Sequence, residues 1–147
     1  MGTVYTLAKK YCRRYPRGIT WWRVKRHSKI VEMHLNPGEQ VIYAFVGQKS
    51  FTPTDIFATC VVALTNKRIL IGQKRVLFGY SLSSITPDMY NDLQVYQGMF
   101  FGKITIDTIK EEVELRFIDK RALPEIETSI SEYMIEAKKE YPKVEHI

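Results

Sequence analysis

The chain has 147 residues, of which 45% are hydrophobic and 26% charged, and a net charge of +6. This is the size of one domain with a core large enough to need no staples; no apolar run approaches the roughly 20 residues of a membrane helix, and the N-terminus lacks the apolar stretch of a secretory signal. Residues 1–35 hold nine basic groups and one acid, Glu32, so the whole positive excess lies in the first quarter and the remaining 112 residues balance at −2.

Residues 3–14 predict a helix, with Val4, Leu7, Ala8, Tyr11 and Tyr15 recurring at steps of three and four. Pro16, Arg17 and Gly18 break it. A second helix is predicted from a cap at Thr20 to about Leu35, its apolar side formed by Trp21, Val24, Val31 and Leu35 with Ser28 in line. Asn36-Pro37-Gly38 stops it.

From Glu39 the period changes to that of strands. Residues 39–47 are apolar on both sides, which suits a strand buried on both faces. Residues 48–55 form a polar loop, and residues 56–65 the second strand. Residues 65–68 make a hairpin connection in which Asn66 is best able to adopt positive φ. The third strand is read over 68–72 and the fourth over 75–82, with a bend at 72–74; residues 83–91 form a loop containing Pro87. Residues 92–99, 103–107 and 112–118 are three more strands, the last with Val113, Leu115 and Phe117 inward. A closing helix runs from about Ala122 to Tyr141, with an apolar stripe of Leu123, Ile126, Ile130, Met134, Ala137 and Tyr141 and Pro124 in its first turn.

Seven closely spaced strands with short connections predict antiparallel pairing, and a curled sheet whose open end or corner takes the final helix. The expected class is therefore mainly β with helices: a barrel of seven antiparallel strands, capped by a C-terminal helix and preceded by one or two N-terminal helices. The run VVALTNKRILIGQK at 61–74, with Ser83-Ser84-Ile85 and FGKITI at 101–106 after it, resembles the bacterial pleckstrin-homology (PH) families, in the YokE-like or GRAM-like type. The resemblance covers about residues 36–141. It implies a PH-like fold and a binding module that engages lipid, peptide or scaffold partners; with the charge distribution, the chain divides into a basic helical extension at 1–35 and a PH-like barrel domain over 36–147. Lipid-binding members cluster cations on the loop between the first two strands. Here residues 48–55 contribute only Lys49, and Lys74 and Arg75 follow on the third-to-fourth connection.

Nothing in the sequence spells an enzyme. It has no nucleophile elbow, no phosphate-binding glycine loop and no paired metal ligands, so no catalytic residue, metal or cofactor is expected. Cys12 and Cys60 are far apart and read as reduced thiols of a cytoplasmic protein. His27 and His34 stand seven apart on a predicted helix but lack companion ligands. Glu111, Glu112 and Glu114 read as a solvated strand-edge group.

Lys9, Lys10, Arg13, Arg14, Arg17, Trp21, Trp22, Arg23, Lys25 and Arg26 combine cations with indoles, the composition of an interfacial anchor for an anionic lipid surface on the inner face of the membrane. The competing reading packs both tryptophans on the barrel and leaves the cations solvated. The same charges carry no recognisable nucleic-acid motif, and no small-molecule substrate is evident. Lys49, Lys67, Arg68, Lys74 and Arg75 are candidate rim contacts, although turn-making also accounts for Lys67 and an ion pair for Arg68. The alternative function is a protein-interaction or self-assembly scaffold using a sheet edge and the groove beside the C-terminal helix.

Overall fold

The computed structural model describes residues 2–18, 23–49 and 56–139. Its elements are α1 (Thr3–Arg14), α2 (Val24–Met33), β1 (Val41–Gln48), a 3₁₀ turn at Ile56–Ala58, β2 (Thr59–Thr65), β3 (Ile69–Lys74), β4 (Tyr80–Ile85), β5 (Tyr90–Gln97), β6 (Phe101–Thr108), β7 (Glu112–Asp119), a second 3₁₀ turn at Lys120–Ala122, and α3 (Leu123–Lys138). The strands form one antiparallel sheet in the order β4-β3-β2-β1-β7-β6-β5. It is a curled half-barrel; the expected plan of seven antiparallel strands and a C-terminal helix is present, and two helices precede it.

Cross-strand partners point to the same side of a sheet, so the register of the strands assigns each face. Ala44 and Val46 of β1 pair with Ala63 and Val61 of β2, which pair in turn with Leu70 and Gly72 of β3. A Cβ on Gly72 would stand 2.6 Å from Val31 Cγ2 and 3.3 Å from the His27 carbonyl oxygen. At β3 this face therefore lies under α2, and the missing side chain of Gly72 lets the helix approach closely. Phe45, Cys60, Val62, Leu64, Ile69 and Ile71 share the opposite face with Gly47, whose missing Cβ would be 3.2 Å from Leu115 Cβ on β7. Every residue of β2 is buried as a result. The same two-sided burial explains why β1 reads as a continuous apolar run rather than an alternating one.

α1 and α2 are docked, and one core joins Val4, Ala8, Tyr11, Val24 and Val31 to the strands and to Leu123, Ile126, Ile130 and Met134 of α3. Tyr141, expected to extend the α3 stripe, lies outside the described residues, as does the Thr20 cap.

Several boundaries differ from the sequence reading. β3 continues to Lys74 and β4 begins at Tyr80, so residues 75–79 form the tip of a hairpin rather than the start of a strand. Val76-Leu77-Phe78 imitates a strand in sequence because its side chains are apolar. Asn66 does not take positive φ. The Thr65 hydroxyl closes that turn instead, accepting the N–H groups of Lys67 and Arg68 at 3.1 Å each. In β7 the alternation breaks at Phe117, whose φ is +58°: the register against β6 shifts, Phe117 stacks edge-on with Phe101, and Ile118 takes the core position.

Candidate functional site

The two N-terminal helices present their cations outward because their apolar sides are consumed by the sheet. Lys10, Arg13, Arg17, Lys25, Arg26 and Lys29 are exposed and Lys9 is half-buried. The ammonium groups of Lys9 on α1 and Lys25 on α2 lie 5.8 and 6.0 Å from the centre of the same Tyr5 ring, which joins the basic faces of the two helices. Glu32, the one acid of this layer, is turned to another task. Its carboxylate accepts the Val4 N–H at 3.0 Å, tying the start of α1 to the end of α2. Trp21 and Trp22 lie outside the described residues. Arg23, at φ +55°, leads directly into α2.

α2 is held to the sheet by two histidines whose roles sequence reasoning did not find. His27 is fully buried, and its Nδ1 accepts the Lys74 N–H at 2.8 Å. The His34 ring bridges the Ile30 carbonyl oxygen at 2.7 Å and the Tyr80 hydroxyl at 3.1 Å. The pair thus fastens α2 to β3 and β4 and does not converge on a common point. No group of three or more His, Cys, Asp or Glu side chains suited to a metal occurs among the described residues.

The bond from His27 brings the first turn of α2, with Lys25 and Arg26, beside the base of the β3–β4 hairpin, where Lys74 and Arg75 stand. Lys49 follows β1, and its N–H donates to the Ala58 carbonyl. The Gln73 side chain donates to the Phe57 carbonyl at 2.6 Å, so the end of the β1–β2 connection and the β3–β4 hairpin occupy one end of the sheet.

Lys67 and Arg68 are at the opposite end of β3, a strand of six residues or roughly 20 Å. Lys67 is exposed on the turn. Arg68 is engaged by Glu39, the His34 carbonyl and the Ser84 hydroxyl. The five rim candidates therefore divide into Lys49, Lys74 and Arg75 at one end and Lys67 and Arg68 at the other. A strand has two ends, and the sequence does not say which turns share one.

Arg14 and Arg17 mark a third location. Arg14 pairs with Glu125 of α3 at 2.9 Å, and Glu125 also accepts the Tyr43 hydroxyl at 2.9 Å. The Arg17 N–H donates to Asp119 at 3.0 Å while its side chain is exposed. Burial above all, with smaller contributions from the neighbouring Cys12, Asp119, Tyr15 and Glu125, pushes the Tyr11 hydroxyl well above the usual phenol range. Tyr43 is raised in the same way, by burial and by its bond to Glu125. Both tyrosines are neutral at any physiological pH, and Tyr43 serves as a hydrogen-bond donor to Glu125. Cys12 and Cys60 are both free thiols, raised by burial to about 11 and about 12.

A family model described as bacterial PH domain matches residues 35–132, from the end of the α2 segment through most of α3. The chain belongs to this family. The PH domain fold is that of a binding module. Two solved structures are similar to this PH domain. One is a pleckstrin homology domain from Shewanella amazonensis, with 18% identity and a TM-score of 0.49, covering 75% of this chain and 86% of the other. The second is a DUF1696 family protein with a pleckstrin-homology domain from Shewanella loihica, with 14% identity and a TM-score of 0.47, covering 77% and 90%. No curated protein matches the PH domain. α1 and α2 precede the matched range, so the most basic part of the chain is outside what the family model describes. Among the described residues, no helix is long and apolar enough to cross a membrane.

Proposed function

We propose that this PH domain is a non-catalytic module, cytoplasmic, that associates peripherally with an anionic membrane surface through its N-terminal helical layer. The Leu64-Thr65-Asn66-Lys67-Arg68 pattern leads us to group it with the YokE-like, GRAM-like type. The observation that carries the reading is the docking of both helices on the sheet by their apolar sides. That leaves Lys9, Lys10, Arg13, Lys25, Arg26 and Lys29 directed away from the core, with the only acid of the segment committed to the Val4 N–H. Each cation near an anionic leaflet contributes about 1 kcal/mol, so the set suffices for reversible binding while any one of them does not.

The test is co-sedimentation of the full chain with phosphatidylcholine vesicles with and without phosphatidylglycerol. Binding is expected only with the anionic lipid, weakening as salt rises. A Lys25→Glu, Arg26→Glu, Lys29→Glu variant is expected to lose it while keeping its thermal midpoint. Equal binding to neutral vesicles, or none to anionic ones at low salt, refutes the reading.

One observation favours a second reading, that of an interaction scaffold. Among the described residues β4 and β5 end the sheet with one hydrogen-bonded neighbour each, giving two edges that a strand from a partner could extend. Light scattering together with a pull-down distinguishes the two, because a strictly monomeric chain that captures no protein partner counts against the scaffold.

A further inference from the structure

The tip of the β3–β4 hairpin has the wrong chemistry for a turn in water. Val76, Leu77 and Phe78 are consecutive apolar residues with 48%, 83% and 85% of their surface exposed. Hairpin tips are ordinarily polar, and a run of three exposed apolar side chains is a liability unless something covers it. Gly79, at φ +70°, lets the chain turn back, and Arg75 donates its N–H to the Gly79 carbonyl at 3.1 Å. The tip is therefore a formed turn that holds these side chains away from the core.

Its electrostatic setting names the occupant. Lys74 and Arg75 immediately precede the apolar residues, and the chain contains no Asp or Glu from residue 56 to residue 87. The Lys74 N–H is bonded to His27, which brings the cationic first turn of α2 to the base of the hairpin. An apolar point directly preceded by two cations, in a stretch of chain that holds no acid from residue 56 to residue 87, complements the interface of an anionic bilayer, where hydrocarbon lies beneath phosphate. An apolar protein pocket would not need Lys74 and Arg75 beside it.

We infer that Val76-Leu77-Phe78 is an interfacial anchor that inserts into the acyl boundary of an anionic membrane, with Lys74 and Arg75 at headgroup level. The inference rests on the membrane reading above and adds to it a hydrophobic contact that salt does not screen. It also fixes the orientation of the domain, hairpin end down.

A Leu77→Ser, Phe78→Ser variant separates the two claims, since exposed side chains can be changed with the thermal midpoint kept. With phosphatidylglycerol-containing vesicles it is expected to bind about tenfold more weakly than the native chain. Its residual binding is expected to vanish in high salt, whereas the native chain retains a salt-resistant fraction. An environment-sensitive dye on a Phe78→Cys variant, made in a Cys12→Ser background, is expected to be quenched by brominated acyl chains. Unchanged affinity and salt dependence in the double serine variant overturns the anchor and leaves the electrostatic reading standing. Failure of the native chain to bind anionic vesicles overturns both. A native chain that self-associates without lipid, beside a monomeric serine variant, makes the tip a subunit contact and overturns the anchor.

Discussion

Arg68 grips Glu39 through two hydrogen bonds, from Nε to Oε2 at 3.0 Å and from a terminal guanidinium nitrogen to Oε1 at 3.1 Å. The Glu39 side chain is 1% exposed and that of Arg68 17%. Glu39 also accepts the Asn36 N–H and the Thr65 hydroxyl, and Arg68 donates to the His34 carbonyl. One ion pair thus ties the β2–β3 turn to the end of α2 and the start of β1.

Removing one partner should cost far more than removing both. Arg68→Met leaves a buried carboxylate without its counter-charge and should lower unfolding stability by about 3 kcal/mol in urea titrations. Glu39→Gln combined with Arg68→Met should recover much of that loss, because an amide is cheaper to bury than an unpaired charge. A double variant as unstable as Arg68→Met alone contradicts this account. Arg68→Lys should fall between, keeping the charge and losing the fork.

The same pair predicts an acid limit to stability. Burial alone would raise the Glu39 carboxyl, but it is outweighed by the bonds from Arg68, Asn36 and Thr65 and by the Arg68 charge, which hold the group at about 2. Asp119 is lowered too, chiefly by Arg121, against burial, with help from the Arg121 and Arg17 N–H groups. Both carboxyls bind protons more readily in the unfolded chain. Their contribution is complete above the ordinary carboxylate range and is lost as pH falls from about 5 toward 2. The urea midpoint should therefore drop across that window, and Glu39→Gln should flatten part of the drop. A native midpoint that stays level between pH 5 and 3 counts against it.

Gly72 and Val31 should behave as a matched pair. A methyl at Gly72 would meet Val31 Cγ2 at 2.6 Å and α2 backbone at 3.3 and 3.4 Å, so Gly72→Ala should cost about 1–3 kcal/mol by forcing α2 off β3. Val31→Ala alone should also destabilise, by opening a cavity. Together they should be less harmful than the sum of the two, and a double-mutant cycle with no coupling would rule out the contact as the cause. Because His27 sits on the same helix, amide exchange at Lys74 should accelerate in Gly72→Ala.

Much of this could be read from the chain because strand and helix periods survive wherever one face is apolar. Residues 3–14 carry such a stripe and form α1 over the same span, and the α3 stripe places Leu123, Ile126, Ile130 and Met134 in the core. The apolar hairpin tip was hidden for the converse reason. Val76-Leu77-Phe78 has strand composition, and only Gly79 hinted that the chain turned there. The αL geometry at Phe117 left no signal, since a bulge is selected by its neighbours across the sheet and not by its own side chain.

By itself the sequence determined the order of elements, the antiparallel plan and the concentration of positive charge before residue 36, because these follow from local period, short connections and counting. Only the tertiary structure decided which residues meet. It put α2 on β3 at Gly72, assigned Arg68 to Glu39, and separated Lys67 and Arg68 from Lys74 and Arg75 by the length of a strand. It also left Leu77 and Phe78 in solvent, at the tip of a hairpin whose base is bonded to α2 through His27. These are matters of register and docking, set by cross-strand and helix-to-sheet contacts between residues distant in the chain, and no local pattern encodes them.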